Sequence, residues 1–232
     1  MGRVDANSLY NIVKNYRWGN FKDLSVHFDE TCTQNIVSYR SSASRAAEAL
    51  ALSGQKAKAI EVLDLASREI PVAKYNDPRS LSSMVYGYIV AGQEQKGLKL
   101  AEELKKGIFT EYDYYSGLSA KQQRFVIRQM RTKPMEYSLV VGAVVDAYTK
   151  IGKSAKGYDY LVKSLEPIDK KFNVFVKDLQ TMGKEKAFTE AENVQKITPF
   201  YTYLFDIMEP YDSTYSKEKE SQITSAIMKA TQ

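Results

Sequence analysis

The chain has one cysteine, one histidine, one tryptophan and six prolines in 232 residues. A single Cys32 excludes an internal disulfide and leaves the redox compartment open. His27 and Cys32 lie close in sequence, but two ligands without a third make no zinc site. With so few imidazole and thiol groups, nucleophile–base arrangements have little to draw on, and no Gly-rich phosphate loop follows a strand. Neither a cofactor nor a metal is expected. Long apolar runs are also missing. The longest is Leu139 to Val145, far short of the roughly 20 residues that span a bilayer. The first residues, Met1 to Asp5, lack the apolar stretch of a signal peptide. That leaves a cytosolic protein or a piece of a longer one as the two expectations.

What the chain does have is tyrosine, 17 of them. Large rings with a polar tip suit half-buried positions between helices or along a groove. The net charge is +5, a balance that invites a nucleic-acid reading, so its distribution matters. Residues 1–110 carry 15 basic and 12 acidic side chains, and residues 111–232 carry 18 and 16. The excess is even, which makes nucleic acid an unlikely partner. One stretch departs from this. From Lys121 to Lys133 there are five basic residues and no acid. Lys121, Arg124, Arg128 and Arg131 fall within about 80° of one helical face, at about 100° per residue. Phe125, Val126 and Met130 take another part of the circumference. Such a basic amphipathic helix is either a solvated face or a site for anions or an anionic membrane surface.

The fold is legible between Ala47 and Pro71, AEALALSGQKAKAIEVLDLASREIP. Gly54, Ala59, Leu63, Ala66 and Pro71 have the spacing of a tetratricopeptide-type helix hairpin. Gly54 permits the positive φ that ends a first helix. Ala59 is small where two helices cross, Leu63 and Ala66 face back, and Pro71 forces the exit. Gly92 with Gly97, Ala101 and Leu104 repeats the pattern, as does Gly152 with Gly157, Leu161 and Ser164. Tyr88 and Tyr148 each precede their turn glycine by four residues. The longer second spacing predicts an extra helix between hairpins two and three, and Pro134 marks the start of a mostly buried helix over 134–151.

Asp29, Thr31 or Thr33 offers an N-cap for hairpin one, and Asp77-Pro78 opens hairpin two. Three helices are expected after Pro167. One carries Phe172, Phe175, Val176 and Leu179, and a second carries Ile197, Tyr201, Leu204 and Met208 with Pro199 as a kink or restart. The last covers 215–230. The expected architecture is an all-α, tetratricopeptide-like hairpin solenoid with an inserted basic helix and C-terminal capping helices. Its parts are an N-terminal helix and extended segment (1–31), three hairpins (32–166, insertion 110–133) and capping helices (167–232), in one globular unit.

Hairpins of this kind usually bind or position other chains. The first helix of each pair lines the concave side, which nominates Ser41, Ser44 and Glu48, then Arg79, Ser82 and Tyr86, then Asp146 and Thr149. A solvated wall without a ligand is the alternative.

The ordered series LYNIVKNYRWGNFKD, VHFDET, TQNIVSYRSSASRAAEAL, KAKAIEVLD with Val72, Tyr75 and Asp77, AGQEQKGLKLAEEL and EYDYYSGLS carries a resemblance. It resembles the C-terminal region of large bacterial multi-pass membrane proteins similar to protein O-mannosyltransferases of the glycosyltransferase-C type. The matching positions are Tyr16, Trp18, Gly19, Asp29, Arg40, Arg45, Gly54, Ala59 and Tyr114-Tyr115. Residues 8–120 carry it well and the remainder loosely. The resemblance implies a membrane-embedded portion that holds the catalytic acids, so no active-site residue carries over to this chain. It also implies a periplasmic accessory region that positions an acceptor or partner. Trp18 and Asp29, in the segment nearest that portion, are the expected docking residues. A free-standing adaptor for peptide segments is the second expectation, and a helical-repeat RNA binder the third.

Overall fold

A computed structural model describes residues 5–181 and 184–231, with the side chains of 120, 175, 178–195, 227 and 229–231 left undescribed. Among the described residues there are nine helices and no strand. They are α1 (Ala6–Lys14), α2 (Glu30–Leu52), α3 (Lys56–Glu69), α4 (Pro78–Val90), α5 (Glu94–Ser116), α6 (Ala120–Lys150), α7 (Ser154–Thr181), α8 (Lys184–Met208) and α9 (Ser213–Thr231). The protein is all-α and built on helical hairpins. Among the described residues no helix is long and apolar enough to cross a membrane.

The three turn glycines behave alike. Gly54, Gly92 and Gly152 have φ of 84°, 92° and 74°. Each closes its helix with the same pair of backbone bonds. Gln55 N donates to Leu50 O at 2.8 Å and Gly54 N to Ala51 O at 3.1 Å. Gln93 and Gly92 repeat this onto Tyr88 O (2.8 Å) and Ile89 O (3.0 Å), and Lys153 and Gly152 onto Tyr148 O (2.8 Å) and Thr149 O (3.1 Å). This is the Schellman cap, whose left-handed residue only glycine adopts cheaply. Asp77 caps α4, with Pro78 in its first turn, and Asp29 caps α2 by accepting from Cys32 N at 2.7 Å.

The sequence reading expects one globular unit; the chain instead divides into two compact units. The first comprises Met1–Lys106 with Ala143–Gly157, and the second Gly107–Gly142 with Tyr158–Gln232. In the first, α2 packs on α1, α3 and α4. Ala43, Ala46, Ala47 and Leu50 meet Ala59, Val62, Leu63 and Ala66 in a fully buried seam. Burying each leucine there contributes about 2 kcal/mol. The second unit has a core of its own, formed by Phe109, Tyr112, Tyr137 and Phe200. Phe200 lies 5.0 Å from the rings of both Phe109 and Tyr112, and 5.6 Å from Tyr137. Tyr137 donates to Ser164 O at 2.8 Å. Ile197, Tyr201, Leu204 and Met208 are buried as their spacing predicts. In the other expected stripe, Phe172 is buried and Val176 half-buried, whereas the side chains of Phe175 and Leu179 lie outside the described residues.

Three prolines lie inside helices, Pro134 and Pro167 against expectation and Pro199 without the restart that was one of its two alternatives. Pro134 does not start a helix, and residues 121–133 are not a separate one, because α6 runs through both. Likewise α7 continues through Pro167 and α8 through Pro199. A proline inside a helix loses one backbone bond and crowds the preceding turn, at about 3 kcal/mol. Each of these is held by buried neighbours on both sides: Met130 and Tyr137, Leu165 and Ile168, Ile197 and Phe200. Packing outweighs the local penalty.

Successive hairpins are joined by a repeated polar contact. In the first unit, Tyr88 donates to Asp64 Oδ1 at 2.9 Å, and Lys96 pairs with the same carboxylate. One hairpin later, Tyr148 donates to Glu94 Oε1 at 2.8 Å, with Lys156 at 3.0 Å and Lys153 at 3.3 Å. Lys156, Tyr148 and Lys153 together hold the Glu94 carboxyl down from its ordinary 4.5 to about 2, against the opposing effect of its partial burial. A depressed carboxyl stabilises the fold above its unfolded pKa and loses that contribution as pH falls. Acidification from about 4.5 toward 2 is therefore expected to remove about 1–2 kcal/mol through this residue, after discounting for solvent screening. In denaturant titrations at stepped pH, Glu94→Gln should flatten the stability profile across that window; a profile unchanged by the substitution would show that the cluster is not formed.

Candidate functional site

Glu48, Tyr86 and Asp146 each stand six residues before a turn glycine, on α2, α4 and α6. The first unit brings them together. Tyr86 Oη donates to Glu48 Oε1 at 3.2 Å. Burial, followed by the charges of Glu48 and Asp146, pushes the Tyr86 phenol well above its ordinary value, so it stays a protonated donor. Partial desolvation raises the Asp146 carboxyl. Glu48 and Tyr86 are half-buried and Asp146 is exposed. The row thus offers carboxylate acceptors steadied by a phenol, suited to hydrogen-bond donors or cations on a partner.

Other nominated residues are placed differently. Ser82 is buried and gives its hydroxyl to Pro78 O at 2.6 Å; Ser44 is buried and donates to Arg40 O at 3.0 Å. Both stand ten residues before a turn glycine, on α2 and α4, two helices that pack against each other. Neither lines an open wall. Ser41 is half-buried, and Arg79 and Thr149 are exposed.

Trp18 is half-buried in an aromatic cluster, edge-on to Tyr16 at 5.2 Å and to Tyr39 at 6.3 Å. With Phe21, Phe28 and Val37 it packs against buried Ile36, Ile70 and Tyr75. Asp29 is exposed and occupied as the α2 cap.

Lys121, Arg124, Arg128 and Arg131 are all exposed on the first half of α6. The apolar residues of that segment do not share one face. Met130 is buried and Val126 half-buried, but Phe125 is 81% exposed. At about 100° per residue, Phe125 lies about 40° from Lys121 and about 140° from Met130. It belongs with the cations.

Sequence reasoning missed the role of Arg40. Its side chain is fully buried, and its guanidinium donates to Tyr75 O at 2.9 Å, Ser80 Oγ at 2.9 Å and Ile70 O at 3.0 Å. Burial pulls its pKa from 12.5 to about 10, with Asp77 opposing, so the charge is kept at neutral pH. The signal available was an arginine followed by the small residues Ser41, Ser42, Ala43 and Ser44 on a helix rich in alanine.

Between α8 and α9 in the second unit lies an open depression of about 280 Å³, lined by Tyr201, Phe205, Asp206, Glu220 and Ile223 among others. Among the described residues, no group of three or more His, Cys, Asp or Glu side chains is placed to hold a metal ion. Fold and site together define a helical-hairpin protein with a row of polar side chains on its first helices. Comparison with protein-family models, curated proteins and solved structures finds no match in any of the three.

Proposed function

We propose that the chain is a non-catalytic, tetratricopeptide-like interaction module that positions an acceptor or partner chain along the row Glu48, Tyr86 and Asp146. The observation that carries this reading is the register. Three hairpins with the same cap present a polar side chain at the same position of each first helix, and two of those side chains are carboxylates. Repetition of that kind builds a binding wall from local rules, as helical-repeat proteins do. By the resemblance of residues 8–120, the module is an accessory region of a membrane glycosyltransferase-like protein on the periplasmic side. The partly exposed Tyr16–Trp18–Tyr39 cluster would then contact the membrane-embedded portion. A free-standing adaptor for peptide segments is the second reading, favoured by the same row.

The test has two steps. The reading frame that encodes this chain is expected to include many apolar spans upstream; without them, the adaptor reading replaces the accessory one. In the protein so defined, Glu48→Ala/Tyr86→Ala/Asp146→Ala should lower transfer or partner binding at least tenfold, while far-ultraviolet circular dichroism stays unchanged. Full activity in that variant would remove the groove from the mechanism.

A further inference from the structure

The first half of α6 joins three features that the groove does not use. Lys121, Arg124, Arg128 and Arg131 are exposed on one stripe, and none has an ion-pair partner among the described residues. The fifth basic residue of the run shows the contrast. Lys133 is nearly buried on the other side and neutralised by Glu111 at 2.5 Å and Glu136 at 2.9 Å. Beside the unpaired stripe, about 40° from Lys121, stands Phe125, 81% exposed. An apolar ring of that size, held in water while its near neighbours Val126, Ile127 and Met130 are half-buried or buried, needs a reason. At the same hairpin tip Tyr114, in the last turn of α5, is 66% exposed. The tip itself is braced: Gln123 donates to Ser116 O at 3.0 Å and to Leu118 O at 2.9 Å.

We propose that this half of α6 docks on the anionic surface of a phospholipid bilayer, with the four cations at the phosphates and Phe125 seated at the headgroup–acyl boundary. The four cations run along about 15 Å of one side of a helix, at 1.5 Å per residue. A convex basic stripe suits a planar, deformable surface of phosphates. A polynucleotide strand is instead gripped in a groove with aromatic platforms along it. Basic residues on the polar face beside an apolar ring are the composition of helices that lie in the interface, and tyrosine at that depth anchors through its amphipathic ring. This face, residues 121–131, belongs to the second unit, whereas Glu48, Tyr86 and Asp146 belong to the first, where the two carboxylates carry the opposite charge.

The experiment is co-sedimentation of the whole chain with phosphatidylcholine vesicles, and with vesicles of phosphatidylcholine and phosphatidylglycerol in equal parts. Wild type is expected to bind the anionic vesicles alone, and to release as salt shortens the Debye length from about 10 Å at 0.1 M to about 3 Å at 1 M. Arg124→Glu/Arg128→Glu should weaken partitioning about 30-fold or more, given what each basic residue contributes near an anionic leaflet. Phe125→Ser should weaken it roughly tenfold, through the lost burial of one ring. Lys170→Glu/Lys217→Glu, the same charge change on exposed residues elsewhere, should bind like wild type. All these side chains are exposed, and circular dichroism checks that each variant is folded. As a second readout, Phe125→Trp should gain blue-shifted emission over wild type on anionic vesicles only. Absence of binding at low salt, an equal loss in the control reversal, or binding to single-stranded oligonucleotides but not vesicles would each overturn the proposal.

Discussion

Replacing Arg40 with alanine is expected to destabilise the protein by about 3–5 kcal/mol. The guanidinium is fully buried and binds two backbone carbonyls, Ile70 O and Tyr75 O, together with Ser80 Oγ. Those carbonyls belong to the link between α3 and α4, where helical bonds no longer satisfy them. Alanine removes all three donors and leaves a cavity among groups that water reaches poorly. The thermal midpoint should fall on the order of 10 °C. Arg40→Lys keeps a charge but loses the planar fork, and should fall between alanine and wild type. An alanine variant that melts with wild type would show that the clamp does not form.

The second large effect is expected at Gly97. A Cβ there would lie 2.7 Å from Ile89 Cγ1 and 3.0 Å from Val85 O. The side chain can turn away, but the carbonyl belongs to the α4 backbone and cannot move without shifting the helix. Gly97→Val should therefore cost about 2–4 kcal/mol through overpacking. Gly107, also inside α5, supplies the comparison. Nothing lies within 4 Å of its Cβ position, so Gly107→Ala should stabilise by about 0.5–1 kcal/mol through helix propensity. Equal and opposite shifts in melting midpoint are not required. What matters is the sign. A stabilised Gly97→Val would mean that α4 and α5 do not approach closely at Val85 and Ile89.

Gly97 also shows why parts of this fold were readable in advance. It stands five residues after Gly92, as Ala59 follows Gly54 and Gly157 follows Gly152, and each marks a close helix crossing. Gly157 has Val145 O at 3.2 Å from its Cβ position. Small residues at a fixed distance from a turn are a local signal with a tertiary cause, so spacing alone reveals them. Of the candidate row, Glu48, Tyr86 and Asp146 were placed by the same arithmetic. Ser44 and Ser82 were misplaced by it, because spacing specifies a helical position without showing how closely the next helix packs there. Phe125, which spacing groups with Val126 and Met130, stays exposed while those two are covered. Arg40 carried no readable role, because its acceptors lie 30 to 40 residues away on the chain.

The sequence by itself determined the all-α class, the three glycine turns, the cap at Asp77 and the buried stripe of α8. These follow from backbone bonds and side-chain periodicity within a few residues, where φ at a glycine or a cap at Asp77 is decided locally. Tertiary structure alone decided that α6, α7 and α8 run through Pro134, Pro167 and Pro199, and that residues 107–142 and 158–232 enclose a separate core around Phe200. A proline's local penalty of about 3 kcal/mol favours a break. Only burial against side chains distant in sequence is large enough to reverse it, and no window of neighbouring residues contains that term.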